Sequence, residues 1–164
     1  MGVAGSGKST VGRTLADRLG WDLGEGDLLH PAANVAKMAA GHPLSDADRA
    51  PWLAAVRGWI DERVHAGRPG VISCSALKRS YRDVLRDEHV LFVHLAATRE
   101  HLLPRLVSRT GHFMPATLLD SQFAALEPPD EDEQVLTVEA ALPVDLQVSQ
   151  ILEVVRPSPA GGPV

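Results

Sequence analysis

The chain has 164 residues, 45% hydrophobic and 23% charged, which is enough for one globular domain with its own core and too little for a second. A net charge of −5 speaks against a general nucleic-acid or anionic-membrane binder, so any positive potential must be local, as in a pocket for a small anion. The single cysteine, Cys74, rules out an internal disulfide framework, seven scattered histidines lack metal-ligand spacing, and no apolar run reaches the roughly 18 residues of a membrane helix; a cytoplasmic location is expected.

Taken in order, the chain opens on Gly2-Val3-Ala4-Gly5-Ser6-Gly7-Lys8-Ser9, which fits the phosphate-loop pattern G-x-x-x-x-G-K-[ST]. Glycines let successive backbone N–H groups turn inward on a polyphosphate, and the following helix adds its unsatisfied N–H groups and the positive end of its dipole. Gly2, Ala4, Gly5, Ser6, Gly7, Lys8, Ser9 and Thr10 are therefore the expected nucleotide-binding residues. Lys8 is expected at the β- and γ-phosphates and the Ser9 hydroxyl on Mg²⁺. A buried parallel strand normally leads into such a loop, whereas only Met1 precedes Gly2 here. The expectation is a sheet lacking its first strand, with the chain's origin upstream.

Val11, Leu15 and Leu19 recur every four residues and Gly20 follows, predicting a helix over 7–19. Trp21–Leu23 is a short strand candidate that delivers Gly24-Glu25-Gly26-Asp27 to a strand end. Pro31 opens a helix through Asn34, Lys37 and Met38 to Gly41. Ser45-Asp46-Ala47-Asp48 has capping-box spacing, and Trp52, Leu53, Val56, Trp59, Ile60 and Val64 mark a long apolar stripe ending before Gly67. Residues 70–75 read as a buried strand, followed by a helix carrying Tyr81, Val84 and Leu85, with Ser75 and Lys78 at the junction. Val90–Leu95 is another strand, and Thr98 caps a helix with Leu102, Leu103, Leu106 and Val107, inside which Pro104 marks a kink or a true start. Residues 111–115 break the pattern before a helix with Leu118, Leu119, Phe123 and Leu126. A strand over 135–138 and a helix from Pro143 through Leu146, Ile151, Leu152 and Val155 close the domain. Alternating strands and helices predict an α/β fold, a three-layer parallel sheet with helices on both faces over 1–155, a lid near 105–120 and a disordered tail over 156–164.

Three stretches suggest what is done with the nucleotide. Asp27 stands where a carboxylate accepts the proton of an attacking hydroxyl; helix capping or a Mg²⁺-bound water is the alternative role, and the two are not exclusive. Asp46, Asp48 and Arg49 either grip a polyol and its carboxylate or form a solvated turn, the planar fork of Arg49 being the best match to a carboxylate. Arg105 and Arg109, beside the break at Gly111, suit a lid over the transferring phosphoryl group, or are exposed helix arginines. All three lysines, Lys8, Lys37 and Lys78, fall inside these motifs. No hydrophobic run ends in an acidic residue, so Mg²⁺ is expected to rely on Ser9. That pattern suits small-metabolite kinases better than switch or motor NTPases.

In this light the chain resembles the bacterial gluconate kinases of the small phosphate-loop type. The resemblance runs through Gly26-Asp27, His30-Pro31, Asn34, Lys37-Met38, Gly41, Pro43-Leu44, Asp46 and Asp48-Arg49 with Pro51-Trp52-Leu53. It continues in Cys74-Ser75-Ala76-Leu77-Lys78, Tyr81-Arg82-Asp83, Gly111-His112-Phe113, Ser121-Gln122-Phe123 and Leu126-Glu127. It implies a nucleoside-monophosphate-kinase-like fold, ATP-dependent phosphorylation of D-gluconate at its 6-hydroxyl, Mg²⁺ and a homodimer. It further implies that Lys8, Asp27, Arg105 and Arg109 are catalytic and that Asp27, His30, Arg49, Lys78, His112 and Gln122 contact gluconate. The missing strand and Pro104 depart from the family pattern. A shikimate-type kinase and a non-catalytic nucleotide-binding protein are the competing readings.

Overall fold

Capping chemistry and apolar spacing set the elements. The structure, a computed structural model, describes residues 1–102 and 118–155. Helix α1 spans Lys8–Leu19, strand β1 Asp22–Glu25, and a 3-10 turn over Gly26–Leu29 leads to helix α2 at Ala32–Ala39. Helix α3, Asp46–Ala66, starts at the expected capping box. Asp48 N–H donates to Ser45 Oγ (3.2 Å) and Ser45 N–H to the Asp48 carboxylate (2.7 Å), so one side-chain pair satisfies two backbone donors at the helix start. Strand β2 (Gly70–Ser73), helix α4 (Arg79–Leu85), strand β3 (Phe92–Ala96), helix α5 (Leu118–Ala125), strand β4 (Val135–Glu139) and helix α6 (Val144–Val155) follow, with a further helix beginning at residue 99. Pro104, the 111–115 break and the 156–164 tail lie outside the described residues.

The strands pair in parallel. β1 lies on β2 from Asp22↔Gly70 to Glu25↔Ser73, and β3 on β4 from Phe92↔Val135 to Ala96↔Glu139. Met1 and Gly2 join the two pairs, Met1 along the middle of β3 and Gly2 just past the end of β2. The Met1 amino group donates to Val93 O, Leu95 N–H donates to Met1 O (3.0 Å), and Gly2 N–H donates to Ser75 O (3.1 Å). Met1 thus stands in the ladder position expected of a strand ahead of the loop. Between β2 and β3 lies a cavity of about 720 Å³ whose walls include Val11, Leu15, Val56, Ile60, Phe92 and Val93.

Side chains alternate across the β1–β2 pair, as a pleated strand requires. Leu23 and Val71 face Gly12 of α1, while Gly24 and Gly70 lie against the Trp59 indole of α3. Val11, Leu15, Leu95, Val138, Val148 and Ile151 form the core under α1 and α6, and Trp52, Val56, Ile60, Tyr81 and Leu85 form the core under α3 and α4. Helices therefore cover both faces, the α/β arrangement read from the sequence. Trp52 is fully buried, whereas Trp59 is half-buried with the Arg63 guanidinium 3.7 Å above its ring. Among the described residues assigned to apolar helix faces, two are not in the core: Val84 is 47% and Leu146 53% exposed. At 100° per residue, Leu146 points about 140° away from Ile151, and Val84 about 100° from Leu85.

Candidate active site

The phosphate loop needs backbone conformations that only glycine adopts readily: φ is 138° at Gly2, 81° at Gly5 and 96° at Gly7. A Cβ at Gly2 would lie 2.9 Å from Leu95 O, so the loop also packs directly on β3. Lys8 Nζ folds back over the loop and donates to Val3 O (2.9 Å), and Ala4 N–H donates to Gln122 Oε1 (2.6 Å). Ser6 is fully buried, its Oγ without a partner among the described residues. Thr10 is exposed in the first turn of α1.

Beside the loop stands a carboxylate that the sequence reading passed over. Glu25, the last residue of β1, accepts hydrogen bonds through Oε2 from Ser9 Oγ (2.9 Å) and Ser73 Oγ (2.6 Å), with Arg13 3.5 Å from its other oxygen. The expectation that no strand ends in an acidic residue is corrected here. Gly24 interrupts the apolar run because the Trp59 ring needs its space, and this hid β1 as a strand ending in a carboxylate. Ser9 and Glu25 together offer hard oxygen donors of the kind that suits Mg²⁺.

Asp27 follows two residues on, within about 7 Å of chain from Glu25. Its position is set by Gly26, where a Cβ would fall 2.5 Å from Ser73 O, so β1 and β2 approach more closely than any side chain permits. Trp52 Nε1–H donates to Gly26 O (2.8 Å), and the same indole stacks on His30 with centroids 4.8 Å apart and an 8° interplanar angle. Burial pushes the His30 pKa below its ordinary value, against the pull of Asp27, so the ring is neutral at pH 7.

The third wall comes from the start of α3 and the β2–α4 junction. Lys78 Nζ binds both Asp46 oxygens (2.7 and 2.9 Å), and the Tyr81 hydroxyl donates to Asp46 as well. The Lys78 hydrogen bond, then Tyr81, holds the Asp46 carboxyl below the usual carboxylate range, and Asp46 raises Lys78 in return. Arg49 lies 5.8 Å and Lys78 5.5 Å from the Tyr81 ring centroid, at cation–π distance. Asp48 is engaged by Lys37 (2.6 Å) and the capping box, which push its pKa far down, and Asn34 Nδ2 donates to Asp48 O (2.7 Å). Of the paired aspartates, Asp48 is therefore a helix-start residue and Asp46 a partner of Lys78.

The structure thus gathers Lys8, Ser9, Asp27, His30, Arg49 and Lys78 at the carboxyl ends of the strands, and attaches Gln122 to the phosphate loop. Arg105, Arg109 and His112 lie outside the described residues. Glu25, Trp52 and Asn34 are additions. Asn34 and Trp52 already stood among the residues of the resemblance, without a site role; the signal for Glu25 was an acidic residue at a strand end two positions before Asp27.

A phosphate loop on parallel strands, with carboxylates beside it and the cations Arg49 and Lys78 around Tyr81, defines a phosphate-loop kinase of the small-molecule type, and the shikimate kinase family model matches residues 4–141. The gluconokinase of Gluconobacter oxydans (strain 621H) is 53% identical over 154 residues, covering 93% of this chain and 86% of that one. The chain belongs to the gluconokinase family, and membership makes ATP the expected occupant of the loop. Among solved structures, a sugar kinase from Janibacter sp. HTCC2649 matches with a TM-score of 0.89 at 44% identity, covering 93% of this chain and 90% of that one. A gluconokinase from Sinorhizobium meliloti 1021 matches with a TM-score of 0.81 at 46% identity, covering 93% and 87%. No helix among the described residues is long and apolar enough to cross a membrane.

Proposed function

We propose that the chain transfers the γ-phosphoryl group of ATP to the 6-hydroxyl of D-gluconate, giving 6-phosphogluconate and ADP, within one kinase domain over 1–155. The observation that carries this reading is the Ser9–Glu25 hydrogen bond (2.9 Å), which ties the end of β1, two residues before Asp27, to the phosphate loop. Beyond it, Arg49 and Lys78 flank Tyr81 and offer two cations to an acid's carboxylate.

Loop N–H groups from Gly2 to Thr10 and the Lys8 ammonium take the phosphate oxygens and stabilise the charge that develops on them during transfer. Ser9 and Glu25 would hold Mg²⁺, which when bound neutralises phosphate charge. Asp27 orients the acceptor hydroxyl and accepts its proton. The neutral His30 ring, fixed by Trp52, has a hydrogen bond to give a polyol hydroxyl, and its neutrality keeps it from competing for the carboxylate. Arg49 grips that carboxylate with its planar fork and Lys78 adds a point charge. Gln122, on α5, holds the loop at Ala4, and the resemblance assigns it to gluconate as well. The resemblance assigns Arg105 and Arg109 to the transferring phosphoryl group and His112 to gluconate. Dependence on ATP suits the cytoplasm, and the family resemblance supports a homodimer.

The experiment is Asp27→Asn in steady-state turnover. An isosteric amide cannot take the proton, so kcat falls about 10²- to 10⁴-fold while ATP affinity changes little. An unchanged kcat removes Asp27 from the chemistry.

A further inference from the structure

Arg82 is an arginine on α4 that is 1% exposed, and the chemistry above does not use it. Its Nε and Nη2 donate to the two oxygens of Glu133 (2.5 and 2.7 Å), a bidentate fork across 51 residues of sequence. Its Nη1 is turned the other way, toward three backbone carbonyls: Glu127 O (3.0 Å), Leu77 O (3.2 Å) and Ala76 O (3.4 Å).

Two of those carbonyls belong to the loop between β2 and α4, which contains the one non-glycine residue with positive φ among those described, Ala76 at 42°. An alanine held there is strained, and such strain persists only where the surroundings fix it. Ala76 is fully buried. Before it, Ser75 O accepts from Gly2 N–H of the phosphate loop, and within it Leu77 O accepts from Glu127 N–H (2.9 Å). Glu127 in turn takes Arg79 N–H at the start of α4 (2.5 Å). The residue that emerges from this turn is Lys78, whose ammonium binds Asp46 at the start of α3. Glu133 stays ionised, with Arg82 depressing its pKa to about 2, so the clamp persists throughout the working pH range.

We infer that Arg82 is a positioning residue for the acceptor half of the site: by gripping the Ala76 and Leu77 carbonyls from a base fixed on Glu133, it aims Lys78 at the acceptor's carboxylate. This rests on the reading of gluconate as the acceptor. The nucleotide half depends less on Arg82, because the Gly2 contact to Ser75 lies upstream of the clamped carbonyls.

The test compares Arg82→Lys, which keeps the charge on Glu133 but loses the fork, with Arg82→Gln/Glu133→Gln, which removes the buried ion pair as a unit and avoids stranding one charge. Both raise KM for gluconate about tenfold with KM for ATP within about twofold. Placed on a Lys78→Ala background, Arg82→Gln/Glu133→Gln adds no further rise in the gluconate KM, because residues that act through one another are not additive. A purely structural role would raise both KM values together or add fully to Lys78→Ala, and either result overturns the inference. A wild-type chain inert toward gluconate overturns the acceptor reading and this inference with it. An active wild type whose variants keep the gluconate KM overturns the inference alone.

Discussion

Replacing Trp52 with phenylalanine probes the joint between core and chemistry. The indole is fully buried, packs with Val56 and Ile60, stacks on His30 and donates its N–H to Gly26 O. Phenylalanine keeps an aromatic ring but takes the donor from a buried carbonyl, a loss of about 1–3 kcal/mol. The smaller ring adds part of the 3–5 kcal/mol that full truncation of a buried aromatic costs, so about 2–4 kcal/mol is expected in total. For a chain of this size that corresponds to a fall in Tm of roughly 5–15 °C. Gly26 immediately precedes Asp27, so loosening its anchor also shifts the carboxylate, and kcat should fall about tenfold with ATP affinity unchanged. Urea unfolding followed by fluorescence gives the first number and ADP release the second. A variant within 0.5 kcal/mol of wild type (about the spread of neutral surface changes) with unchanged kcat would refute the link between Trp52 and Asp27.

Other consequences are as direct. His94 is 7% exposed, its Nδ1 lacks a partner among the described residues, and burial lowers its pKa to about 4. Above pH 6.5 both states are neutral there; below it the unfolded chain takes up a proton that the folded one refuses, so stability declines from about pH 6.5 to pH 4. By about pH 5 the deficit is near 2 kcal/mol, and His94→Gln should flatten that part of the urea-midpoint profile; an unaltered slope contradicts this account of the ring. The cavity between β2 and β3 gives a second test. Adding about five apolar β-forming residues ahead of Met1 should fill it; side-chain burial of about 1.5–3 kcal/mol each outweighs ordering costs of about 1–2, for a net gain of roughly 2–5 kcal/mol. A denaturant midpoint that does not move would mean the cavity does not accept a strand.

Elements governed by local chemistry were legible in the sequence. The Ser45–Asp48 capping box, the helix after the phosphate loop and the alternation of strand and helix each follow from neighbours in the chain, and the structure has them within a residue or two. Features that depend on distant partners were not. Gly24 looks like a strand breaker until Trp59, 35 positions later, is seen to need its space, and Glu25 was overlooked for that reason. Arg82 enters the sequence reading only as part of Tyr81-Arg82-Asp83, and Glu133 not at all, because nothing near either announces a buried partner across the fold. Within the site, Asp27, His30, Arg49 and Lys78 were grouped by the family resemblance. The sequence could not foresee that Asp48 is committed to Lys37 and the helix start, or that Gln122 reaches back to Ala4.

The acceptor is the central claim, and a coupled assay of ADP release tests it most directly. With ATP and Mg²⁺ supplied, release should be negligible without acceptor, should saturate with D-gluconate and should respond weakly to shikimate, a carboxylated polyol of different shape. ADP release indifferent to gluconate, or faster with shikimate, would contradict it.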